Sequence, residues 1–327
     1  MTQVEYSVSE RFGLNLDAGH DMVVTGNDHP CQFTPPIDHG YKHRIDLIRD
    51  MFGFWVSGEI AMLQIGHSGC GKTSMIEQWH ARLNLPLLTV VAHPRMEIAD
   101  LIGHFIPTGD GGMAFHYGPV TRAALEGWSV LIDEYFVLDP GVATGLNAFL
   151  QGGMLYIPET GESIRAKEGF RIFAATNPAD VGAGYFGRNN QDAANLDRFY
   201  VVQVPYPEAI DETPLIQQVL LDEGIGDDSV ALLYAERMVS VANSVRKVYC
   251  GESDTSENGN SSLEAGSIDI TMSTRTLKRW AKLFMLFNSM PEAEIYSLNR
   301  ALLNRASPES AQAIKNLVQV EFGTKAD

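Results

Sequence analysis

Five short apolar runs mark the first two-thirds of the chain: Met62–Ile65, Leu87–Ala92, Val130–Ile132, Phe170–Ala175 and Tyr200–Val204. They mostly do not alternate with polar residues, as expected of strands buried on both faces of a parallel sheet. Helical or loop segments separate them, and that alternation predicts an α/β fold with a five-stranded parallel sheet. Ahead of the first run, Ile45, Leu47, Ile48, Met51 and Phe52 predict an amphipathic helix between about Tyr41 and Phe54. Past Pro205 and Pro207 the strand-like runs stop. Leu232, Leu233, Ala235, Met238, Val239 and Ala242 mark one helix, and Leu277, Trp280, Ala281, Phe284 and Phe287 mark another. Further helices are predicted near Ile295–Leu303 and Ala311–Val320.

The pattern divides the chain into a leader over residues 1–45, a core over 46–206 and a C-terminal helical lid domain over 207–327. Pro30, Pro35 and Pro36 break any long helix in the leader. Two core segments read as hairpin insertions. One is the glycine-rich turn of residues 108–119 between short arms. In the other, Met154–Ile157 and Ser163–Ala166 flank a Glu-Thr-Gly-Glu turn. The polar, small-residue stretch over 251–266 predicts a mobile loop within the lid.

The candidate chemistry starts where the first strand ends. Gly66, His67, Ser68, Gly69, Cys70, Gly71, Lys72 and Thr73 fit the spacing G-x-x-x-x-G-K-[ST], and Ser74 continues into a helix. The strand–loop–helix context makes this a phosphate site. The glycines let backbone N–H groups curl toward phosphate oxygens, and the helix N-terminus adds partial positive charge. Lys72 is placed to reach the β- and γ-phosphates and Thr73 to offer a hydroxyl to Mg²⁺. Cys70 reads as a filler of a permissive loop position, with redox sensing the other reading.

Four further motifs follow. The run Ser129–Ile132 ends in Asp133 and Glu134. Asp133 is placed to hold Mg²⁺, and Glu134 to polarise an attacking water. At the end of the fourth run, Asn177 precedes Pro178. Its amide either positions that water and senses the γ-phosphate, or caps its own turn. Arg198, just before the fifth run, is a candidate finger delivered to the nucleotide of a neighbouring subunit, or else a structural partner of Asp197 or Asp192. Arg188 is a second candidate for the same role. Arg275 opens a lid helix behind Ser273 and Thr274, either of which can cap it. An arginine gains nothing from the dipole there, so it reads as a lid contact to the γ-phosphate or as a solvent-exposed cation.

Composition narrows the partners. With 24 Lys and Arg against 41 Asp and Glu, the net charge is −17, which argues against a sequence-independent grip on nucleic acid. Three widely spaced cysteines suit a reducing cytosol and supply no metal framework. No apolar stretch is long enough for a bilayer, and no basic-then-apolar leader is visible, so a cytoplasmic protein is expected. His39 and His43 are four apart, but no third ligand is near, and they read as leader surface. Phe105, Phe115, His116 and Tyr117 read either as a packed hairpin or as the lining of a ring pore or partner site.

The order Gly66–Thr73, Asp133-Glu134, Asn177, Arg198, Arg275 resembles an AAA+ ATPase. The two insertions and the phrases Asp100-Leu101-Ile102-Gly103, Asp133-Glu134-Tyr135 and Leu196-Asp197-Arg198-Phe199 resemble the MoxR branch. Within it the chain is similar to CobS, the ATPase subunit of aerobic cobaltochelatase, and then to CbbQ and NorQ. Arg11-Phe12-Gly13-Leu14, Pro35-Pro36-Ile37-Asp38 and Ile76-Glu77-Gln78 with Ala81–Pro86 carry the CobS likeness. After Tyr135 the chain departs from CobS, reading Phe136-Val137-Leu138-Asp139-Pro140, and residues 184–190 keep only the outline.

The resemblance implies an AAA+ P-loop NTPase core, a lid, and ATP with Mg²⁺ as cofactors. It implies a homo-oligomeric ring, usually a hexamer, with Arg198 reaching the next subunit's site. It also implies a partner bearing a von Willebrand A domain. ATP hydrolysis coupled to remodelling of a partner protein is the expected function. The alternatives are a cobaltochelatase subunit working with a large chelatase subunit, a P-loop small-molecule kinase, and a DNA motor of phage or defence machinery.

Overall fold

The computed structural model describes residues 2–14, 21–178, 193–252, 254–255, 262–263 and 266–323. Arg188, Asp192, residues 184–190 and most of 251–266 lie outside them. The chain forms two compact units. The first comprises Met1–His67 and Gly71–Pro205, and the second Ser68–Cys70 and Tyr206–Asp327.

The first unit is built on five strands: β1 (Ala61–Ile65), β2 (Leu87–Val91), β3 (Ser129–Asp133), β4 (Arg171–Thr176) and β5 (Tyr200–Gln203). They are all parallel, in the order β5-β1-β4-β3-β2. The expected five-stranded sheet is present, and β4 at its centre is buried from Ile172 to Thr176. Thr176 pairs with Ile65 and Ala175 with Asp133, so three strands end almost level. Each is followed at once by a polar or flexible residue: Gly66, Glu134 or Asn177.

Helices cover the sheet. The amphipathic helix α1 (Ile45–Ser57) buries Leu47, Ile48, Met51 and Phe54. The next helix, α2 (Lys72–Arg82), buries Met75, Ile76 and Trp79, and α3 (Pro119–Glu126) buries Val120, Ala123 and Ala124. The two hairpins pair Gly103–Pro107 with Met113–Tyr117 and Met154–Ile157 with Glu162–Arg165. The Tyr117 hydroxyl donates to Glu162 at 2.8 Å, tying one hairpin to the other.

The leader is structured. Gln3–Ser7 pairs antiparallel with Val23–Asn27, and Asn27 N donates to Leu83 O at 2.9 Å, just past α2. Farther on, Gln78 of α2 donates to Pro36 O at 3.0 Å and accepts from Asp38 N at 2.9 Å. His43 is not surface, which corrects that expectation. It packs against Phe12 and Tyr41 with both ring nitrogens out of solvent. Burial, and then the Arg82 charge, push its pKa down to about 4. His39 is exposed.

The second unit is mainly helical: α4 (Ala209–Asp222), α5 (Asp228–Tyr249), α6 (Thr274–Leu286), α7 (Ala293–Ala301) and α8 (Pro308–Phe322). Its core gathers Met238, Val245, Leu277, Trp280, Leu298 and Ile314. A fully buried Glu212 on α4 meets Arg246 on α5 at 2.6 Å. In the 251–266 stretch, Asp254–Thr255 pairs with Ser262–Leu263. Among the described residues no helix is long and apolar enough to cross a membrane.

Candidate nucleotide-binding and hydrolysis site

The level strand ends bring the candidate residues of the first unit together. Gly66 N donates to Thr176 O at 3.1 Å, pinning the loop after β1 to the end of β4. The chain then turns through Gly69 (φ +74°) and Gly71 (φ +103°), left-handed backbone that favours glycine, before α2 starts at Lys72. The N-terminal end of α2 therefore follows directly on the loop, with Met75 N donating to Gly71 O at 2.9 Å. Ser68, Gly69 and Cys70 form the loop tip and group with the second unit; Ser74 is exposed on α2.

Lys72 is 8% exposed. Its ammonium donates to Gly66 O at 2.7 Å, His67 O at 3.1 Å and Asn177 Oδ1 at 2.9 Å. The Asn177 amide nitrogen sits 3.4 and 3.5 Å from the two Glu134 carboxylate oxygens. One buried amide thus joins the lysine to the glutamate across strand ends far apart in sequence. Among the described residues its side chain serves these two groups. Burial and the Lys72 charge lower the His67 pKa, favouring a neutral imidazole beside the loop.

The second pair is Thr73 and Asp133. Thr73 Oγ1 donates to Asp133 Oδ2 at 3.0 Å, while Asp133 Oδ1 accepts from Glu134 N at 3.0 Å. Both are hard oxygen donors, and together they match the ligand chemistry that Mg²⁺ takes beside phosphates. Glu77 lies one turn along α2 from Thr73, and its carboxyl pKa is raised by burial and then by the Asp133 charge. From the sequence alone this third acid is given no role at the site. The i, i+4 spacing from Thr73 was the available signal.

Glu134 has φ +58°, left-handed backbone carried by a residue with a Cβ. Such a conformation costs on the order of 1–3 kcal/mol and persists only where its surroundings enforce it. Here the reversal ends β3 and starts the 3-10 turn Tyr135–Val137.

Arg198 is half-buried beyond the short helix Ala193–Leu196 and donates to Ala194 O. Among the described residues no ion pair joins it to Asp197. Arg275 belongs to the second unit, where it is exposed in the first turn of α6 behind the Ser273 cap.

The profile of the AAA domain (dynein-related subfamily) matches residues 61–199, and that of the CbbQ/NirQ/NorQ C-terminal domain matches residues 218–321. The chain is a MoxR-branch AAA+ ATPase. Relatives include the denitrification regulatory protein NirQ of Stutzerimonas stutzeri, 27% identical over 82% of this chain and 87% of NirQ. Protein NorQ of Paracoccus denitrificans is 32% identical over 49% of this chain and 58% of its own. Protein YojN of Bacillus subtilis is 33% identical over 51% of this chain and 55% of its own. This AAA+ ATPase is therefore a nucleotide-binding, ATP-hydrolysing P-loop enzyme. AAA+ ATPases of this family typically oligomerise.

Proposed function

We propose that this AAA+ ATPase hydrolyses ATP with Mg²⁺ at the interfaces of a homo-oligomeric ring, a hexamer, and uses turnover to remodel a partner protein. The carrying observation is the chain Lys72–Asn177–Glu134 beside the Thr73–Asp133 pair, all within hydrogen-bond reach at the carboxyl ends of the three interior strands. Lys72 holds the terminal phosphates in exchange for one of its present acceptors. Thr73 and Asp133 hold Mg²⁺, which supplies charge neutralisation at the phosphates when bound. Glu134 accepts the proton of the attacking water, and Asn177 keeps that carboxylate and Lys72 in register. Arg198 of one copy stabilises transition-state charge at its neighbour's site, and Arg275 contributes from the lid.

The client is a protein with a von Willebrand A domain. Kinship to NirQ and NorQ, one of them named a regulatory protein, supports action on another protein. The match to the CbbQ/NirQ/NorQ C-terminal domain favours this over the CobS-like chelatase reading. The net charge of −17 disfavours a DNA motor. A cytoplasmic setting suits all of these roles.

The test is a substrate trap. Glu134→Gln should keep ATP binding and lose hydrolysis by about 10²–10⁴-fold. Loaded with ATP and used as bait in lysate, it should retain a von Willebrand A protein. Retention of a large chelatase subunit would instead establish metal insertion. Undiminished turnover in Glu134→Gln would remove the acid from its role.

A further inference from the structure

Tyr135 follows Glu134 directly, yet nothing in the phosphate chemistry calls for it. Its side chain is fully buried. The hydroxyl donates to Asn195 Oδ1 at 3.1 Å. The ring meets Phe199 edge-on, with centroids 5.4 Å apart. Asn195 and Phe199 bracket the turn that carries Arg198. Within that turn Arg198 N donates to Asn195 O at 3.2 Å, and Phe199 N to Leu196 O at 3.1 Å.

One side chain therefore grips both ends of the arginine turn. Asn195 is only 3% exposed, and its amide nitrogen donates to Asn147 Oδ1 at 3.2 Å. Both ends of the amide are engaged, so its orientation is set. Burial pushes the Tyr135 phenol well above its ordinary range, so the hydroxyl stays a donor.

We infer that Tyr135 and Asn195 are positioning residues for Arg198, making the strand end that bears Glu134 and the turn that bears Arg198 one mechanical piece. This rests on the reading that Arg198 acts on a neighbouring copy. Glu134 serves the nucleotide of its own subunit, whereas Arg198 serves the next one. The Tyr135–Asn195 bond then links the two jobs, and a backbone shift at the strained Glu134 is carried to the finger. Its energetic signature is a loss that falls on the neighbour's site, not on the subunit's own.

That signature can be read by subunit mixing. Tyr135→Phe keeps the ring and removes the hydroxyl, leaving Asn195 short of a donor. It should lower kcat about five- to tenfold with KM unchanged, as expected for one misplaced hydrogen-bonded group. Mixed with Lys72→Ala subunits, which bind no ATP productively but carry an intact Arg198 turn, turnover per Tyr135→Phe subunit should recover. Arg198→Ala should show the same rescue from a larger loss, about 10³-fold or more. In the Arg198→Ala background, Tyr135→Phe should add less than about twofold. Asn195→Ser, which shortens the amide out of reach, should repeat the pattern.

Rescue of Arg198→Ala without rescue of Tyr135→Phe would overturn the positioning role alone, because the defect would then lie in the subunit's own site. Additive losses in the double variant would do the same. Failure to rescue Arg198→Ala would overturn the neighbour-acting finger, and this inference with it.

Discussion

Replacing Glu212 by Gln keeps the shape of a buried side chain and removes its charge. Glu212 is fully buried and Arg246 is 4% exposed. Their contact is bidentate, Nη1 to Oε2 at 2.6 Å and Nη2 to Oε1 at 2.9 Å. Other contacts gather on the same pair, among them Arg246 Nη1 donating to Asn243 Oδ1 at 3.1 Å. Thr274 Oγ1 donates to Glu212 Oε1 at 2.6 Å, Arg246 Nε donates to Met272 O at 2.7 Å, and the guanidinium lies 4.5 Å from the Tyr206 ring centroid. Glu212→Gln strands a guanidinium in the core of the helical unit, and breaking a buried pair from one side costs about 3–5 kcal/mol. The double variant Glu212→Leu/Arg246→Met removes both charges and both desolvation penalties. It should lose at least about 1 kcal/mol less than either single variant. Urea unfolding followed by far-ultraviolet circular dichroism reads the loss as a lowered midpoint of the helix signal. A loss under about 1 kcal/mol in Glu212→Gln, or a double variant equal to the sum of the singles, would refute the reasoning.

Lys72→Ala should weaken binding of a fluorescent ATP analogue by about 100-fold or more and abolish turnover; tight binding in the variant would displace Lys72 from phosphate contact. Glu77→Gln removes a negative charge beside Asp133. It should raise the Mg²⁺ concentration for half-maximal turnover severalfold while leaving the rate at saturating Mg²⁺ within about twofold, and an unmoved Mg²⁺ midpoint would count against it. His80 is fully buried, with Nδ1 2.7 Å from Ile76 O, and burial depresses its pKa to about 4. Between the ordinary value of 6.5 and about 4 the unfolded chain binds the proton that the folded one refuses. Stability is therefore lost as pH falls through that window. His80→Gln should flatten the fall by about 1.4 kcal/mol per pH unit near pH 5, and parallel pH profiles would exclude the assignment.

The sheet was legible because β1, β3 and β4 are buried on both faces and so read as unbroken apolar runs. The phosphate loop and the acids were legible because each sits within a few residues of a strand end. Other features follow from contacts between distant residues. The leader strands Gln3–Ser7 and Val23–Asn27 are half-exposed and carry no run, and their partner at Leu83 lies far along the chain. Helix α4 was hidden by Pro214 inside it and by the acids at its start, whose Glu212 is answered by Arg246 and Thr274, 34 and 62 residues away. Asn195 showed nothing in its own neighbourhood, because what matters is its reach to Tyr135 and Asn147, 60 and 48 residues away. Spacing along a chain exposes chemistry built from neighbours, and conceals supports built across the fold.

The strand order also sets a timetable for synthesis on the ribosome. Both partners of β1, the central β4 and the edge strand β5, are encoded after it, whereas β2 and β3 can pair with each other early. The run Ala61–Ile65 must wait for about 110 further residues before Thr176 emerges. At roughly 5–20 residues per second that is on the order of 5–20 s with an apolar strand lacking both neighbours. Closing the sheet with β4 joins β1 to β3 in one step, and in the same step brings Asn177 to Lys72 and Glu134. A nascent chain released before that point has a phosphate loop without a base beside it, and an open strand edge for chaperones or for other nascent chains to find.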